Sequence, residues 1–318
     1  MDDIERSYAY GRSPLTADHA SRPLQTYLFG STISKSLSPK INDVIYETTQ
    51  LSWHFNLHTT TDPDDFRRVI QNPNTIGGSV TMPNKVSFME VVDEITDDAR
   101  AMGAVNTVFI RLDGEGRRRH IGGNTDWVGV RDTVLEIPGI KEKARGEPAL
   151  VLGGGGAARS VIYALWTTLG PSEIYIANRL KTEADDMIDG FRKSVPGIKL
   201  RFVGDVDEAR SLPPPAITIG TIPDTEPATP DETLAWQVCK TFVSRRGEGG
   251  AVLDMCYMPD PMTRLCRLGH GCGAAVRHGD EVLVRVCMAQ ITLWAERRLD
   301  PDLAGEVIER IKAPTPVL

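Results

Sequence analysis

Four consecutive glycines, Gly153 to Gly156, run into Ala157 and Ala158. Gly153, Gly155 and Ala158 take the marked places of the pattern G-x-G-x-x-A. The run follows the apolar segment Ala149-Leu-Val-Leu152 and opens a helical pattern, the context that makes such a motif informative. Gly153 permits a tight turn, Gly155 lets a pyrophosphate come close to the backbone, and Ala158 lets helix and strand pack closely. The helix start then offers unpaired N–H groups and a favourable dipole to phosphate. The chemistry implied is dinucleotide binding; a glycine-rich turn with no ligand is the plainer alternative. About 20 residues further on, NAD-binding folds place an Asp or Glu on the ribose diol. Here the sequence reads Asn178-Arg-Leu-Lys181. Arg179, with Lys181 beside it, can hold a 2′-phosphate that an acidic residue would repel, so NADP is expected, with NAD as the alternative. The plain reading of Arg179 is a solvated loop arginine.

Cys266, His270, Cys272 and His278 share one short stretch, so zinc has to be weighed. Their spacing matches no common structural site, and no C-x-x-C occurs, so no metal is expected. The cysteines number five, an odd count that points to a reduced intracellular chain and a cytoplasmic location. Asp2, Asp3 and Glu5 precede no apolar run, so no signal peptide is expected. No stretch is apolar for long enough to span a membrane. With 36 Lys+Arg against 43 Asp+Glu the chain carries a formal charge of −7, which argues against nucleic acid or an acidic membrane as partner. No feature of the sequence sets the oligomeric state.

The elements that must position these residues follow from periodicity. The 318 residues suffice for two domains. Residues 1–24 are polar and aperiodic, and read as a flexible tail or a strap. Strands are expected at 26–30, 53–57, 77–83 and 104–111, and helices over 62–70 and 86–95. A further helix starts with Ser38 as N-cap and Pro39 at the first helical position. Asp113-Gly-Glu-Gly116 is a hairpin turn, and Arg117, Arg118 and Arg119 read as a solvated loop edge. From about residue 127, helices at 127–135, 157–169 and 183–194 alternate with strands at 149–152, 173–177, 200–203, 216–220, 251–255 and 274–276. Residues 141–148 read as a polar break. Such alternation implies an α/β fold with a doubly wound parallel sheet covered on both faces. A long helix at about 280–298 closes the pattern.

Ordered blocks now stand out: Ser36-Leu-Ser-Pro39, Gly78-Ser-Val-Thr-Met-Pro-Asn-Lys85, Gly103-Ala-Val-Asn-Thr107, Gly123-Asn-Thr-Asp126 and the glycine run. Asn178-Arg179, Asp254-Met-Cys-Tyr-Met-Pro259 and a Gly279…Gln290…Trp294 helix follow. This succession resembles the shikimate/quinate dehydrogenase family from about Tyr27 to Trp294. Gly220-Thr-Ile-Pro223 together with Ser79-Val-Thr-Met-Pro83 is most similar to fungal members. The resemblance implies an α/β substrate-binding domain at 25–126 and a Rossmann-type NAD(P)-binding domain at 127–279. The C-terminal helices at 280–318 would pack back on the substrate domain. It further implies a small cyclic carboxylic acid as substrate. Ser36 and Ser38 match the pair that binds the substrate carboxylate, and Thr81, Asn106 and Tyr257 match further substrate contacts. Lys85 and Asp126 match the catalytic pair. Gly153, Gly155, Gly156, Ala157, Asn178, Arg179, Lys181 and Thr221 fall to the cofactor.

Oxidising a ring alcohol removes a hydride, which a nicotinamide takes, and a proton, which a side chain must handle. A lysine held beside a carboxylate rests protonated, a state that suits proton donation to a carbonyl, so oxidation should improve as pH rises. The plain reading of Lys85 and Asp126 is a surface ion pair. Ser36 and Ser38 double as helix-start residues, Asn106 as a turn residue, and Tyr257 as core.

The chain departs from the family at Lys35 for a histidine, Ser79 for an asparagine and Leu180 for a threonine. Counting eight back from Trp294 puts Val286 where the family carries a glutamine that bonds a substrate hydroxyl. Gln290, four residues on and on the same helix face, is the better rescue than Arg285. Three functions therefore compete: an NADP-linked shikimate or quinate dehydrogenase, a paralogue with another specialised substrate, and a non-catalytic metabolite sensor.

Overall fold

The structure, a computed structural model, describes residues 3–313. The chain divides into two compact units. One comprises the residues up to Thr125 together with those from Leu283 onward, and the other runs from Asp126 to Val282.

The first unit is built on strands β1 (Gln25–Gly30), β2 (His54–Thr59), β3 (Thr75–Val80), β4 (Glu94–Ile95), β5 (Thr107–Leu112) and β6 (Arg118–Gly123). Their order is β2-β1-β3-β5-β6-β4. β1 runs parallel to β2 and β3, and β5 runs antiparallel to β3 and β6. The two-residue side-chain period of a strand divides the core between the faces. Leu28 joins Ile41, Ile45, Ile291, Trp294 and Val307 on one face. Phe29 joins Phe66, Ile70 and Phe88 on the other. The helix Gly279–Ala295 is seated on β3 and β5 by Trp294, whose Nε1 donates to the Val108 carbonyl at 3.0 Å. A Cβ on Gly77 would lie 2.1 Å from that nitrogen, so only glycine admits the indole onto the strand.

Three expectations need correction here. Residues 3–24 form a strap rather than a loose tail. They hold a helix (Asp3–Ser7), a 3-10 turn (Tyr8–Tyr10) and a two-way backbone pairing of Arg12 with Leu112. The strap is fastened through partners remote in sequence, which its own polar composition cannot reveal. Arg111, 1% exposed, pairs with Glu296 at 3.1 Å, donates to the Ser7 hydroxyl and lies over the rings of Tyr8 and Phe109. Tyr8 donates its hydroxyl to Glu296 at 2.6 Å. Residues 86–95 are not one helix: a short helix (Asn84–Ser87) passes into a 3-10 turn (Phe88–Glu90) and then β4. β4 exists because β6 offers it an edge, and Arg118 and Arg119 belong to β6, not to a loop. Arg119 is held by Glu94 of β4 at 2.7 Å.

The second unit carries β7 (Ala149–Leu152), β8 (Ile174–Ala177), β9 (Leu200–Phe202), β10 (Ile217–Gly220), β11 (Ala251–Asp254) and β12 (Ala275–Arg277). They are all parallel, in the order β12-β11-β10-β7-β8-β9. Read by position along the unit this is 3-2-1-4-5-6, the doubly wound dinucleotide-binding order, with its reversal between β7 and β10. The long helix Pro230–Arg246 was not anticipated, although Thr229 and Glu232 spell a capping box around Pro230. Its buried residues Ala235, Val238, Cys239, Phe242 and Val243 recur at the spacing of one helix face, so the signal was present in the sequence. The segment read as a polar break holds the short helix Ile140–Ala144, seated by buried Ile140 and Ala144. Among the described residues, no helix is long and apolar enough to cross a membrane.

Removing the carboxylate that answers Arg111 should be costly, because it strands a buried guanidinium. Glu296→Ala is expected to lower unfolding stability by about 3 kcal/mol, read from urea melts of both chains. A change below about 1 kcal/mol would mean that the Arg111 cluster does not anchor the strap.

Candidate active site

The candidate substrate residues that precede Asp126 gather at one edge of the first sheet, where β1 and β3 end. After β1 the chain loops to the helix Ser38–Thr49. Ser36 Oγ accepts the Ser38 N–H at 3.2 Å and donates to Ser38 Oγ at 3.1 Å. Ser38 is therefore the first helical residue rather than the N-cap, because Ser36 supplies the acceptor two residues earlier. After β3, Thr81 N donates to the Phe29 carbonyl at 2.9 Å. A Cβ on Gly30 would lie 2.5 Å from Thr81 Cγ2, so the loops leaving β1 and β3 are in close contact. Asn84 pins the next turn by donating its N–H to the Thr81 carbonyl and its side-chain amide to the Thr60 carbonyl, both at 2.9 Å. Lys85 follows, half-buried, with its own carbonyl accepting Val105 N–H at 2.7 Å.

Asn106 enters the same edge just before β5. Its side-chain oxygen accepts from Thr107 Oγ1 at 2.7 Å, Thr125 N at 2.6 Å and Thr125 Oγ1 at 3.2 Å. That saturation sets the amide with its NH2 group as the donating end. A second layer supports it. Ser79 donates to Gln290 Oε1 at 2.7 Å, and Gln290 Nε2 donates to Thr107 Oγ1 at 3.1 Å. Gln290 is 2% exposed, so its amide serves Ser79 and Thr107. Val286 lies one helical turn earlier on the same face and is buried. Asp126 is the first residue of the helix Asp126–Leu135, buried, and covalently next to Thr125.

The second unit places its glycine run at the crevice where strand order reverses. Gly153 has φ +126°, and a Cβ there would lie 2.2 Å from Thr221 Oγ1, which donates to the Leu152 carbonyl at 2.9 Å. A Cβ on Gly154 would meet the Asn178 amide at 2.7 Å. Gly155 is exposed, with no atom within 4 Å of where a Cβ would stand. It caps the fourteen-residue helix Gly156–Leu169, and Ala158 is fully buried against the strands. An open backbone cradle at a helix N-terminus fits a pyrophosphate. Gly153, Gly155, Gly156, Ala157 and Thr221 are the residues that would hold it.

At the end of β8, Asn178 donates to the Leu180 carbonyl at 2.9 Å and to Glu183 at 3.0 Å. Arg179 is paired with Glu232 at 2.9 Å and Lys181 with Asp185 at 2.7 Å. Both cations are mostly exposed, as a site for a phosphate requires. Tyr257 sits half-buried in the loop after β11.

Sequence reasoning gave no role to Asp254, which ends β11. Its side chain accepts the Cys256 N–H at 3.1 Å and the Thr263 hydroxyl at 2.7 Å, tying down the loop that carries Tyr257. An aspartate closing an apolar strand was the available signal. Among the described residues no group of His, Cys, Asp and Glu could hold a metal ion. Cys266 is buried, and its thiol donates to the Arg277 carbonyl at 3.7 Å.

Burial pushes the Asp254 carboxyl up to about 6. An ordinary unfolded aspartate titrates near 3.9, so between these values the folded chain binds the extra proton. The Asp254 contribution to stability should therefore fall as pH rises from about 4 to about 6 and level off above. Asp254→Asn should flatten that slope by on the order of 2 kcal/mol between pH 4 and 7, read from urea midpoints. An unchanged slope would show that Asp254 is ionised throughout.

Residues 28–108 match the family described as the shikimate dehydrogenase substrate binding domain. The chain is 34% identical over 305 residues to the quinate dehydrogenase of Emericella nidulans, with 90% of this chain and 92% of that one covered. Among solved structures, the dehydroquinate dehydratase and shikimate dehydrogenase of S. pombe AroM is 31% identical, with a TM-score of 0.73. That match covers 91% of this chain but 53% of the other, so the chain spans about half of that protein. A shikimate dehydrogenase in complex with NADP+ shares the fold at a TM-score of 0.72 and 23% identity, with 95% of this chain and 100% of the other covered. With its identity to the Emericella enzyme sustained over nearly the whole of both chains, this chain belongs to the shikimate/quinate dehydrogenase family and is a dehydrogenase.

Proposed function

We propose that the chain interconverts a cyclic hydroxy acid and its keto form, with NADP as the nicotinamide cofactor and shikimate, quinate or a close relative as substrate. The observation that carries this reading is the convergence of Ser36, Ser38, Thr81, Lys85 and Asn106 at one sheet edge. The Emericella quinate dehydrogenase and the S. pombe shikimate dehydrogenase support the substrate class. NADP rests on Arg179 and Lys181 at the end of β8, and the NADP+ complex among the structural neighbours is consistent with it. The cytoplasm is the compartment that goes with this role.

The chain's own groups divide the work. The Ser36 and Ser38 hydroxyls, at a helix start, suit a carboxylate, because hydroxyl donors and the helix dipole act together there. Asn106 presents donors to a ring hydroxyl or carbonyl oxygen. Lys85 handles the proton at the reacting oxygen: its ammonium donates during carbonyl reduction, and its neutral amine accepts during alcohol oxidation. Asp126, one residue beyond the Thr125 that Asn106 holds, is the carboxylate assigned to the same step. When bound, the nicotinamide supplies or accepts the hydride.

Lys85→Met should leave the fold intact and cut turnover by roughly 10²–10⁴, the worth of a positioned acid/base group. Near-wild-type rates on the best substrate would remove Lys85 from the chemistry.

Val286 favours a second reading within the same chemistry, a substrate less polar at the edge that meets this helix. A hydroxyl facing a methyl surface forfeits a bond worth about 1–3 kcal/mol, or roughly five- to 150-fold. Val286→Gln is therefore expected to raise kcat/KM on shikimate or quinate within that range. Efficient wild-type turnover that the glutamine leaves unchanged or reduces would return the assignment to an ordinary shikimate or quinate dehydrogenase.

A further inference from the structure

We infer that Glu232 competes with the cofactor's adenosine 2′-phosphate for the Arg179 guanidinium, and so sets how strongly this chain prefers NADP to NAD. The inference rests on the reading that Arg179 receives the 2′-phosphate. Glu232 is the third residue of the helix Pro230–Arg246, and Thr229 is its N-cap. One carboxylate oxygen accepts the N–H groups of Ala228 at 2.9 Å and Thr229 at 3.2 Å. The other accepts Arg179 Nη1 at 2.9 Å. The carboxylate is thus immobilised by its own helix, and the Ala228 backbone donor, then Arg179, hold its pKa below the ordinary glutamate value. It remains a fixed negative charge.

The arginine is the adjustable partner. Its side chain is 55% exposed against 28% for the glutamate. A guanidinium can reach a ligand phosphate only by sharing or leaving the carboxylate, which then stands near a second anion. Lys181 offers no surplus charge, since Asp185 one turn on neutralises it. The two cations at the end of β8 are balanced by two anions. That is a weak field for a dianionic phosphate, although the residue types alone suggest a strong one.

Glu232→Gln removes the charge and keeps the capping geometry, because glutamine also serves at this position of a capping box. The test is calorimetric titration of the full-length chain with NADP+ and with NAD+, without substrate, so that binding and not turnover is read. Glu232→Gln should raise the ratio Kd(NAD+)/Kd(NADP+) roughly three- to tenfold at low salt, by tightening NADP+ alone, and the gain should shrink at high salt. Glu232→Ala, with Thr229 still capping, should move the ratio the same way. Arg179→Ala should lower the ratio, and Glu232→Gln should add little in that background. A ratio within twofold of wild type in both Glu232 variants, with Arg179→Ala still lowering it, would overturn the inference and leave the arginine reading standing. An Arg179→Ala chain with an unchanged ratio would overturn both. A Glu232→Gln gain undiminished without Arg179 would show that the guanidinium is not what the two anions contest.

Discussion

A pair of parallel strands cannot be closed by a tight turn, so neighbouring parallel strands release their chains at the same edge. That constraint gathers the candidate residues within each unit. In the first unit, β1 and β3 are parallel, so the loop with Ser36 and Ser38 and the turn with Thr81 and Lys85 emerge side by side. β5, antiparallel to β3, must then start at that edge, which brings in Asn106. β6, antiparallel to β5, must end there, which delivers Asn124, Thr125 and the chain leading to Asp126. In the second unit every strand is parallel, and the exits of β7, β8, β10 and β11 carry the glycine run, Arg179, Thr221 and Tyr257 in turn.

What holds that edge of the first sheet to shape is a buried polar network. Ser79, Gln290, Thr107, Asn106 and Thr125 form one hydrogen-bonded chain, and all five are nearly inaccessible to water. Such a network rigidifies only when it is satisfied throughout, since an unpaired buried amide costs about 1–3 kcal/mol. A short hydroxyl at position 79 leaves room that Gln290 fills from the C-terminal helix. The departure from the family on β3 and the polar residue on the helix are thus two halves of one arrangement. Trp294, seated over Gly77, fixes the height at which that glutamine enters.

Two arginine–glutamate pairs show how burial decides the use of a charge. Arg111 and Glu296 are almost wholly removed from water, and the pair is wrapped by Tyr8 and Phe109. Neither charge can be given up without stranding the other, so the pair is an anchor. Arg179 and Glu232 lie at the surface, where water and salt weaken the attraction and the arginine can change partners. The same two residue types therefore make a fastening in one unit and a tunable contact in the other.

The residues alone specify the parts whose signals are local. The alternation of helices and strands after residue 127 and the glycine run between β7 and its helix were legible because spacing and turn chemistry carry them, whereas the blocks around Lys85, Asn106 and Asp126 were legible only through the family resemblance. Other features depend on neighbours brought in from far along the chain, and those become visible in the folded chain alone. β4 exists because β6 offers it an edge, and the strap is ordered because Arg111 and Glu296 receive it. Gln290 turned out to brace Ser79 and Thr107, a role that helical spacing could not distinguish from a substrate contact. Arg179 reads from the sequence as a bare cation, yet Glu232, 53 residues away, holds it. Residue type sets which charges and hydrogen bonds are available, and the fold sets which of them are already taken.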